Sequence, residues 1–307
     1  MQRTCAPIVF RVLKRPTPND FGMKVMRAPE AVRRQSRRWR TKGHRIAFVP
    51  TMGFLHEGHL SLMRRARKLA DHVVVSIFVN PTQFGAGEDF RSYPRNVSRD
   101  LELARRERVD VCFLPKAERL YAQDRATEVH VTRLEHLLEG VTRPGHFAGV
   151  TLVVLKLLNI VEPDVLLLGQ KDAQQALILE RMVRDLDVPV RVVRGPIVRE
   201  RDGLAMSSRN VKLNPEERRA ATVLFRALKE GRALVGHGER KAATVLGRIR
   251  SRIGDEPLAT LDYVAAVDAV TLAPLERLEG RVLMPVAAWF GSTRLIDNIE
   301  FKVGTAS

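Results

Sequence analysis

The chain has 307 residues, which suits two domains and a sizeable core, since a chain near 300 residues removes about three quarters of its unfolded surface from water. A hydrophobic fraction of 45% with 28% charged residues excludes global disorder. The formal charge of +17 asks for an anionic partner, whether nucleic acid, a membrane surface or a small anionic substrate.

In chain order, residues 1–24 read as a basic extension, and Met23 as an alternative start. They lack the apolar core and cleavage site of a secretory signal. The first 50 residues hold 13 basic and two acidic side chains, a net of +11, much of it in the arginine-rich stretch Arg33–Arg45. Ile46–Pro50 then reads as a strand, and Leu60, Met63, Ala66 and Ala70 recur at helical spacing. His72–Val79 reads as a buried parallel strand, Ser98–Glu107 as a helix and Val109–Leu114 as a strand. Gly149–Val161 reads as a buried helix, Val165–Gly169 as a strand, Ala173–Leu186 as a helix and Val188–Arg194 as a strand. This alternation predicts an α/β fold, a parallel sheet with right-handed crossovers. Past a boundary near Arg199 the pattern changes. One long helix is expected over Pro215–Leu234, capped by Asn214, and another over Arg240–Ile253. Strands are expected over Leu261–Val267, Arg281–Trp289 and Arg294–Val303, the last two joined through Gly291-Ser292. That makes a smaller C-terminal α+β unit.

Two cysteines, Cys5 and Cys112, exclude a disulfide framework and a zinc ribbon and suit a reducing compartment. Cys112, in an apolar run, is expected to be buried and inert. Lys156 interrupts the longest apolar run, so no membrane span is expected.

Four polar segments fall at predicted strand ends or in loops. The first, from Pro50 to His59, lies between a strand and a helix. Gly53 suits a tight turn, Gly58 a close backbone approach, and the helix N-terminus an anion. His56 and His59 can both face the same phosphates; the pair is one residue short of the zinc spacing HExxH. The second holds Asn80 and Gln83, amides suited to hydroxyl and carboxylate recognition, or else a plain turn. The third, Gly169-Gln170-Lys171-Asp172, places a phosphate-bridging cation beside an acid that either binds a ribose hydroxyl or caps the next helix. Gln175 follows, either in the cleft or on the helix surface. The fourth, Met206-Ser207-Ser208-Arg209, suits a triphosphate as a mobile loop, or is a solvated loop. Arg143 and His146 are a further cationic pair or a helix entrance. No nucleophile–base motif stands out, so the expected chemistry is positioning and charge stabilisation.

Together these segments resemble the pantoate–β-alanine ligase (pantothenate synthetase) family. The likeness runs in order from about Val25 to Val303 through PTMGFLHEGH, SIFVNPTQFGAGEDFRSYPR, RPGHFAGV, LLLGQKDAQQ, the Val198–Asn210 segment and STRLIDNI. The resemblance implies a Rossmann-like nucleotide- and pantoate-binding domain over 25–198 and a lid domain over 199–307. A cytoplasmic homodimer is implied. So is a two-step reaction with Mg2+, in which (R)-pantoate and ATP give a pantoyl-adenylate and β-alanine then gives pantothenate and AMP. It implies that Met52, Gly53, Phe54, Leu55, His56, Glu57, Gly58 and His59 line the ATP site, with His59 as proton donor. His56 and Lys171 would hold phosphates. Gly169, Gln170, Lys171, Asp172 and Val198 would contact the nucleoside, and Met206, Ser207, Ser208 and Arg209 would close over the triphosphate. Gln83, Gln175 and Asn80 would face pantoate, with Gln83 also meeting β-alanine, and Tyr93 and Arg143 would stand at the mouth. Leu168 stands where an aromatic residue is frequent, and Arg99 where an acid near the metal is frequent. The metal ligands therefore stay open. Rival readings are another HxGH adenylyltransferase, acting on a phosphate acceptor, and a nucleic-acid binder. No RNA-binding motif accompanies the charge and only 6% of residues are aromatic, so neither a specific nucleic acid nor a membrane is expected as partner.

Overall fold

The computed structural model describes residues 22–304. Most of the N-terminal extension, with Cys5, lies outside the described residues. The elements run β1 (Lys24–Met26), α1 (Pro29–Arg40), β2 (Ile46–Thr51), α2 (Glu57–Leu69), β3 (His72–Ile77), α3 (Val97–Arg106) and β4 (Val111–Phe113). There follow α4 (Ala117–Leu120), α5 (Glu139–Thr142), α6 (His146–Val161), β5 (Val165–Gly169), α7 (Ala173–Asp185) and β6 (Arg191–Gly195). The C-terminal part holds α8 (Pro215–Ala220), α9 (Val223–Gly236), α10 (Ala242–Gly254), β7 (Ala259–Val264), β8 (Val267–Asp268), β9 (Gly280–Phe290) and β10 (Thr293–Val303).

The first six strands form one sheet in the order β1-β4-β3-β2-β5-β6, parallel throughout. Strand side chains alternate between faces, so this sheet has two cores. Phe48, Val74, Phe113 and Leu166 pack under α1, α6 and α7. Ala47, Val49, Val73, Val75 and Leu167 pack under α2 and α3. The order reverses at β2, whose neighbours are β3 on one side and β5 on the other. A parallel sheet binds ligands at the carboxyl ends of strands beside such a reversal. The alternation expected from the sequence is present. Cys112 is fully buried, and burial pushes its thiol up to about 12.

Helix α1 lies within the stretch read only as a charge run. Its inward stripe, Pro29, Val32 and Ser36 with Trp39 packed beside them, keeps helical spacing but carries little apolar surface among the arginines, so the segment reads as charge. Arg37 and Arg40 tie it to Glu162, the first to the carboxylate and the second to the main-chain carbonyl. At the N-terminal end of the strands Trp39 stacks on the His72 ring, 4.0 Å between centroids, and His44 Nδ1 lies 2.9 Å from His72 Nε2.

Strand β6 starts three residues later than expected, because Pro189 has no N–H to pair. The long helix expected over Pro215–Leu234 is two helices. Thr222, at the break, donates its hydroxyl to the Arg219 carbonyl at 2.8 Å, a side-chain bond that competes with the helical ladder. The strand expected over Leu261–Val267 is also interrupted. A bulge between Leu261 and Tyr263 leaves Asp262 as an extra residue, and its carboxylate accepts from Arg294. Strands β9 and β10 pair residue for residue from Gly280↔Val303 to Phe290↔Thr293 around a two-residue turn in which Gly291 has φ +55°.

The second sheet meets the first through an apolar cluster that includes Phe147 and Ile178 on one side and Val267 and Leu283 on the other. Beside it, Arg294 donates to both oxygens of the buried Glu139 at 2.7 and 2.9 Å, and Tyr263 donates to the same carboxylate at 2.9 Å.

Candidate active site

The turn after β2 is built by hydrogen bonds to side chains. Thr51 Oγ1 donates to the Ser76 carbonyl and accepts from Gly53 N–H. Gly53 has φ +84°, and a Cβ there would lie 2.8 Å from Ile77 Cγ2. The Asp100 carboxylate accepts from Phe54 N–H at 2.8 Å and Leu55 N–H at 2.7 Å. Arg99 donates to the Leu55 carbonyl at 2.8 Å. The chain therefore enters α2 at a fixed angle, with the N-cap residue His56 over the helix N-terminus.

Two ring nitrogens are used there. Gly58 N–H donates to His56 Nδ1 at 3.2 Å, and His56 N–H donates to His59 Nδ1 at 3.3 Å. Each Nδ1 is an acceptor, so in the neutral ring each Nε2 carries the proton. The rings lie 4.0 Å apart. Burial, reinforced by the Lys171 charge, lowers His56 to about 4. Burial, then His56 and Lys171, places His59 well below its usual value. The pair thus presents two neutral N–H donors.

Beyond β3, Asn80 is buried and fully engaged. Its Nδ2 donates to Gln83 Oε1 and to the Gly149 carbonyl, both at 3.1 Å, and its Oδ1 accepts from Tyr121 OH at 2.7 Å. This fixes the Gln83 amide with its oxygen inward and its NH2 on the Met52 side, where it lies 3.2 Å from Met52 Sδ. His146 Nδ1 donates to the Gln83 carbonyl at 2.8 Å, and its Nε2 accepts from Arg143. Burial first, then Arg143, lowers His146 to about 4. Arg143 and His146 do mark the entrance to α6, and both also line the cleft.

At the end of β5, Lys171 Nζ lies 3.6 Å from the Asp172 carboxylate. Asp172 makes no capping bond to α7. Asn298 of β10 donates to the Gln170 and Lys171 carbonyls at 3.0 and 2.9 Å, which ties this turn to the second sheet. The Ser207–Arg209 segment is ordered structure. Arg199 pairs with Ala205 in a bridge, Ser207 caps a short 3-10 helix, and Ser208 is buried against the Phe54 carbonyl. Arg209 is held bidentately by Asp89 at 3.0 and 2.9 Å. Tyr93, expected at the mouth, is buried beneath Arg209, because its ring packs under the guanidinium.

One cleft at the carboxyl ends of the strands is lined by Met52, His56, Gly58, His59, Asn80, Gln83, Tyr93, Arg143, Gly169, Lys171, Asp172, Gln175, Val198, Met206, Ser207, Ser208 and Arg209. Gly53, Phe54, Leu55, Glu57 and Gln170 are not among its walls. The first three shape the turn, Glu57 pairs with Arg64 on the surface, and Gln170 faces Glu300 of β10. Asp100 and Tyr121 carry no local signal in the sequence, because each acts through a partner distant in sequence. Glu88, Asp89 and Asn298 fall within quoted motifs, but their roles were not legible for the same reason.

The pantoate-beta-alanine ligase model matches residues 24–300. The chain belongs to the pantoate–β-alanine ligase family. Relatives in this ligase family include the pantothenate synthetase of Heliobacterium modesticaldum, 55% identical over 91% of this chain and 100% of the relative. That of Moorella thermoacetica is 53% identical over 92% of this chain and 99% of the relative. A pantothenate synthetase crystal structure from Thermus thermophilus superposes with a TM-score of 0.87 at 44% identity, covering 92% of this chain and 100% of that one. A ligase from Francisella tularensis, complexed with beta-gamma ATP and beta-alanine, gives 0.74 at 32%, covering 90% and 97%. The family's reaction is the ATP-dependent joining of pantoate to β-alanine. No helix among the described residues is long and apolar enough to cross a membrane.

Proposed function

We propose that this cleft carries out the two-step ligation with the following division of labour. The carboxylate of (R)-pantoate attacks the α-phosphorus of ATP, the bond to the β-phosphate breaks, and pyrophosphate leaves. The amine of β-alanine then attacks the acyl carbon of the pantoyl-adenylate, AMP leaves, and the amine gives up its proton. The His56 and His59 Nε2–H groups, Lys171 and Arg209 stabilise the charge that builds on the phosphates. Pre-aimed donors in a dry site do this without reorganising during the step. The Ser207 and Ser208 segment closes over the triphosphate. Gln83 presents its NH2 to the pantoate carboxylate, and Gln175 faces the same substrate. Asn80 acts by fixing Gln83. Met52, Gly58, Gly169, Asp172 and Val198 contact the nucleoside and its phosphates. Residues 25–198 act as the binding domain and 199–307 as a lid.

Magnesium fits this site as the partner of ATP rather than of a protein cage. Among the described residues no group of three or more histidines, cysteines or acids is placed to hold a metal. The cleft carboxylate Asp172 faces Lys171, the carboxylates of Asp89 and Glu88 beside the cleft are taken up by Arg209 and Arg143, and Arg99 braces the Leu55 carbonyl. A magnesium ion keeps several waters and binds substrate phosphates, and on the triphosphate it screens charge. We take the enzyme to work in the cytoplasm as a homodimer, which sedimentation of the purified protein tests.

The single observation that carries this reading is that four separate polar segments converge on one cleft at the reversal of strand order. AMP formation dependent on β-alanine, with pantoate and ATP supplied, tests it; folded protein that makes none refutes it. His59→Ala and Lys171→Ala should each slow pantoate-dependent pyrophosphate release about 100-fold or more while costing fold stability far less, about 1 kcal/mol for the capping bond that His59 makes. Near-normal release would refute the assigned roles.

A further inference from the structure

Two neighbouring acids on the loop after β3, Glu88 and Asp89, each occupy a cation of the cleft. Glu88 holds Arg143 bidentately at 2.8 and 2.6 Å. Asp89 holds Arg209 through Nε and Nη2, and its Oδ2 also accepts from Lys212 Nζ at 2.7 Å. Arg209 lines the cleft beside Ser207 and Ser208, whereas Lys212 is not among the cleft walls. Asp89 therefore bridges a cation inside the cleft and one outside it.

We propose that Asp89 is a specificity-determining residue of the nucleotide site: it fills the phosphate seat on Arg209 with a carboxylate until a polyphosphate displaces it, and Lys212 retains the displaced carboxylate. This rests on the nucleotide reading above. A guanidinium fork accepts a carboxylate and a phosphate in the same bidentate geometry. A ligand that offers only a carboxylate, such as pantoate or β-alanine, gains nothing by replacing Asp89, because one carboxylate bond is exchanged for another. A polyphosphate brings more charge and more acceptor oxygens, so the exchange runs in its favour. The seat is thereby reserved for phosphate in a site where both other substrates carry carboxylates. The charge state suits this role. Burial works against the Asp89 anion, yet Arg209 and Lys212 hold its carboxyl well below the usual range, so it is charged whenever the enzyme works. Lys212 gives the carboxylate a paired state after release, and a half-buried acid would otherwise be left without a counter-charge.

The test is pyrophosphate binding by calorimetry. Asp89→Asn should bind pyrophosphate roughly tenfold more tightly than the wild type, since a competing charge-assisted bond is gone. In the same variant malonate should compete with ATP, and in the wild type it should not. Lys212→Met should weaken pyrophosphate binding, and that effect should vanish when Lys212→Met is made on the Asp89→Asn background. Equal or weaker binding by Asp89→Asn overturns the proposal, as does a Lys212→Met effect that persists in the double variant. A role confined to bracing the loop would weaken binding in both single variants. Should Asp89→Asn not fold, a crystal structure of the wild type with a non-hydrolysable ATP decides. Asp89 on Lys212 and off Arg209 supports the exchange, and an intact Asp89–Arg209 pair refutes it. Wild-type protein that neither binds ATP nor releases pyrophosphate overturns the nucleotide reading itself.

Discussion

Burial sets the protonation of His56, His59 and His146. His56 and His146 fall from 6.5 to about 4, and His59 moves the same way. Between about pH 4 and 6.5 the unfolded chain therefore binds more protons than the folded one, and stability falls as pH drops through that window. His146 alone is worth on the order of 3 kcal/mol across it. The carboxylates whose values are lowered, such as Glu88 and Glu139, start from 4.5 and lose their stabilising effect only below it, so the two effects separate by pH. Urea unfolding from pH 7 down to pH 4 should show a steadily falling midpoint; a flat profile contradicts the assignment. ATP brings the negative charge these rings lack, so NMR titration with a non-hydrolysable ATP should move the His56 midpoint upward. Asp100→Ala removes the acceptor for Phe54 N–H and Leu55 N–H and should cost about 2–4 kcal/mol in a urea melt. The histidine pair and Lys171 were legible in the sequence because strand end, glycine and helix start lie within a few residues of them. Asp100 was not, because its two partners stand about 45 residues away and an acid on an amphipathic helix looks solvated.

Helix α6 approaches the Pro81–Gln83 turn closely because residue 149 is glycine. A Cβ there would lie 2.3 Å from the Thr82 carbonyl oxygen and 2.7 Å from Gln83 Cα, both main-chain atoms. Gly149→Ala must push the turn away and drag the Gln83 amide with it. The expected result is a raised KM for pantoate with a smaller change for ATP; equal changes would count against Gln83 as the pantoate residue. Elements of this kind were readable where apolar runs are long. The parallel strands β2 to β6, α2, α6, α7 and the β9–β10 hairpin follow from runs of apolar residues, whereas the three-residue edge strand β1 was not legible. Helix α1 was not readable, since its few apolar residues facing the core, Val32 and Trp39 among them, stand amid arginines. Nor was the break between α8 and α9, which depends on where the Thr222 hydroxyl finds an acceptor.

The two sheets are joined by charge as well as by apolar packing. Arg294 spans Glu139 of the first part and Asp262 of the second. Arg294→Ala leaves Glu139 buried without its counter-charge, and breaking a buried pair in this way costs about 3–5 kcal/mol, readable as a lower melting temperature. Arg294→Lys should recover only part of it, since a point charge cannot fork onto two acids. The family match begins at residue 24, after much of the basic extension. Deleting residues 1–21 should lower the isoelectric point and leave pantothenate formation unchanged; a large loss would show that the extension serves catalysis. Most of the +17 thus belongs to the first 50 residues, while the few cations of the cleft are balanced by Asp172, Asp89 and Glu88. The stack of Trp39 on His72 has an optical consequence. The two tryptophans, Trp39 and Trp289, stand at the far end of the strands and on the β9–β10 hairpin, and neither lines the cleft. Intrinsic fluorescence should therefore follow unfolding, through loss of this stack, while staying nearly dark to nucleotide, so a ligand titration by emission needs a reporter introduced at the cleft itself.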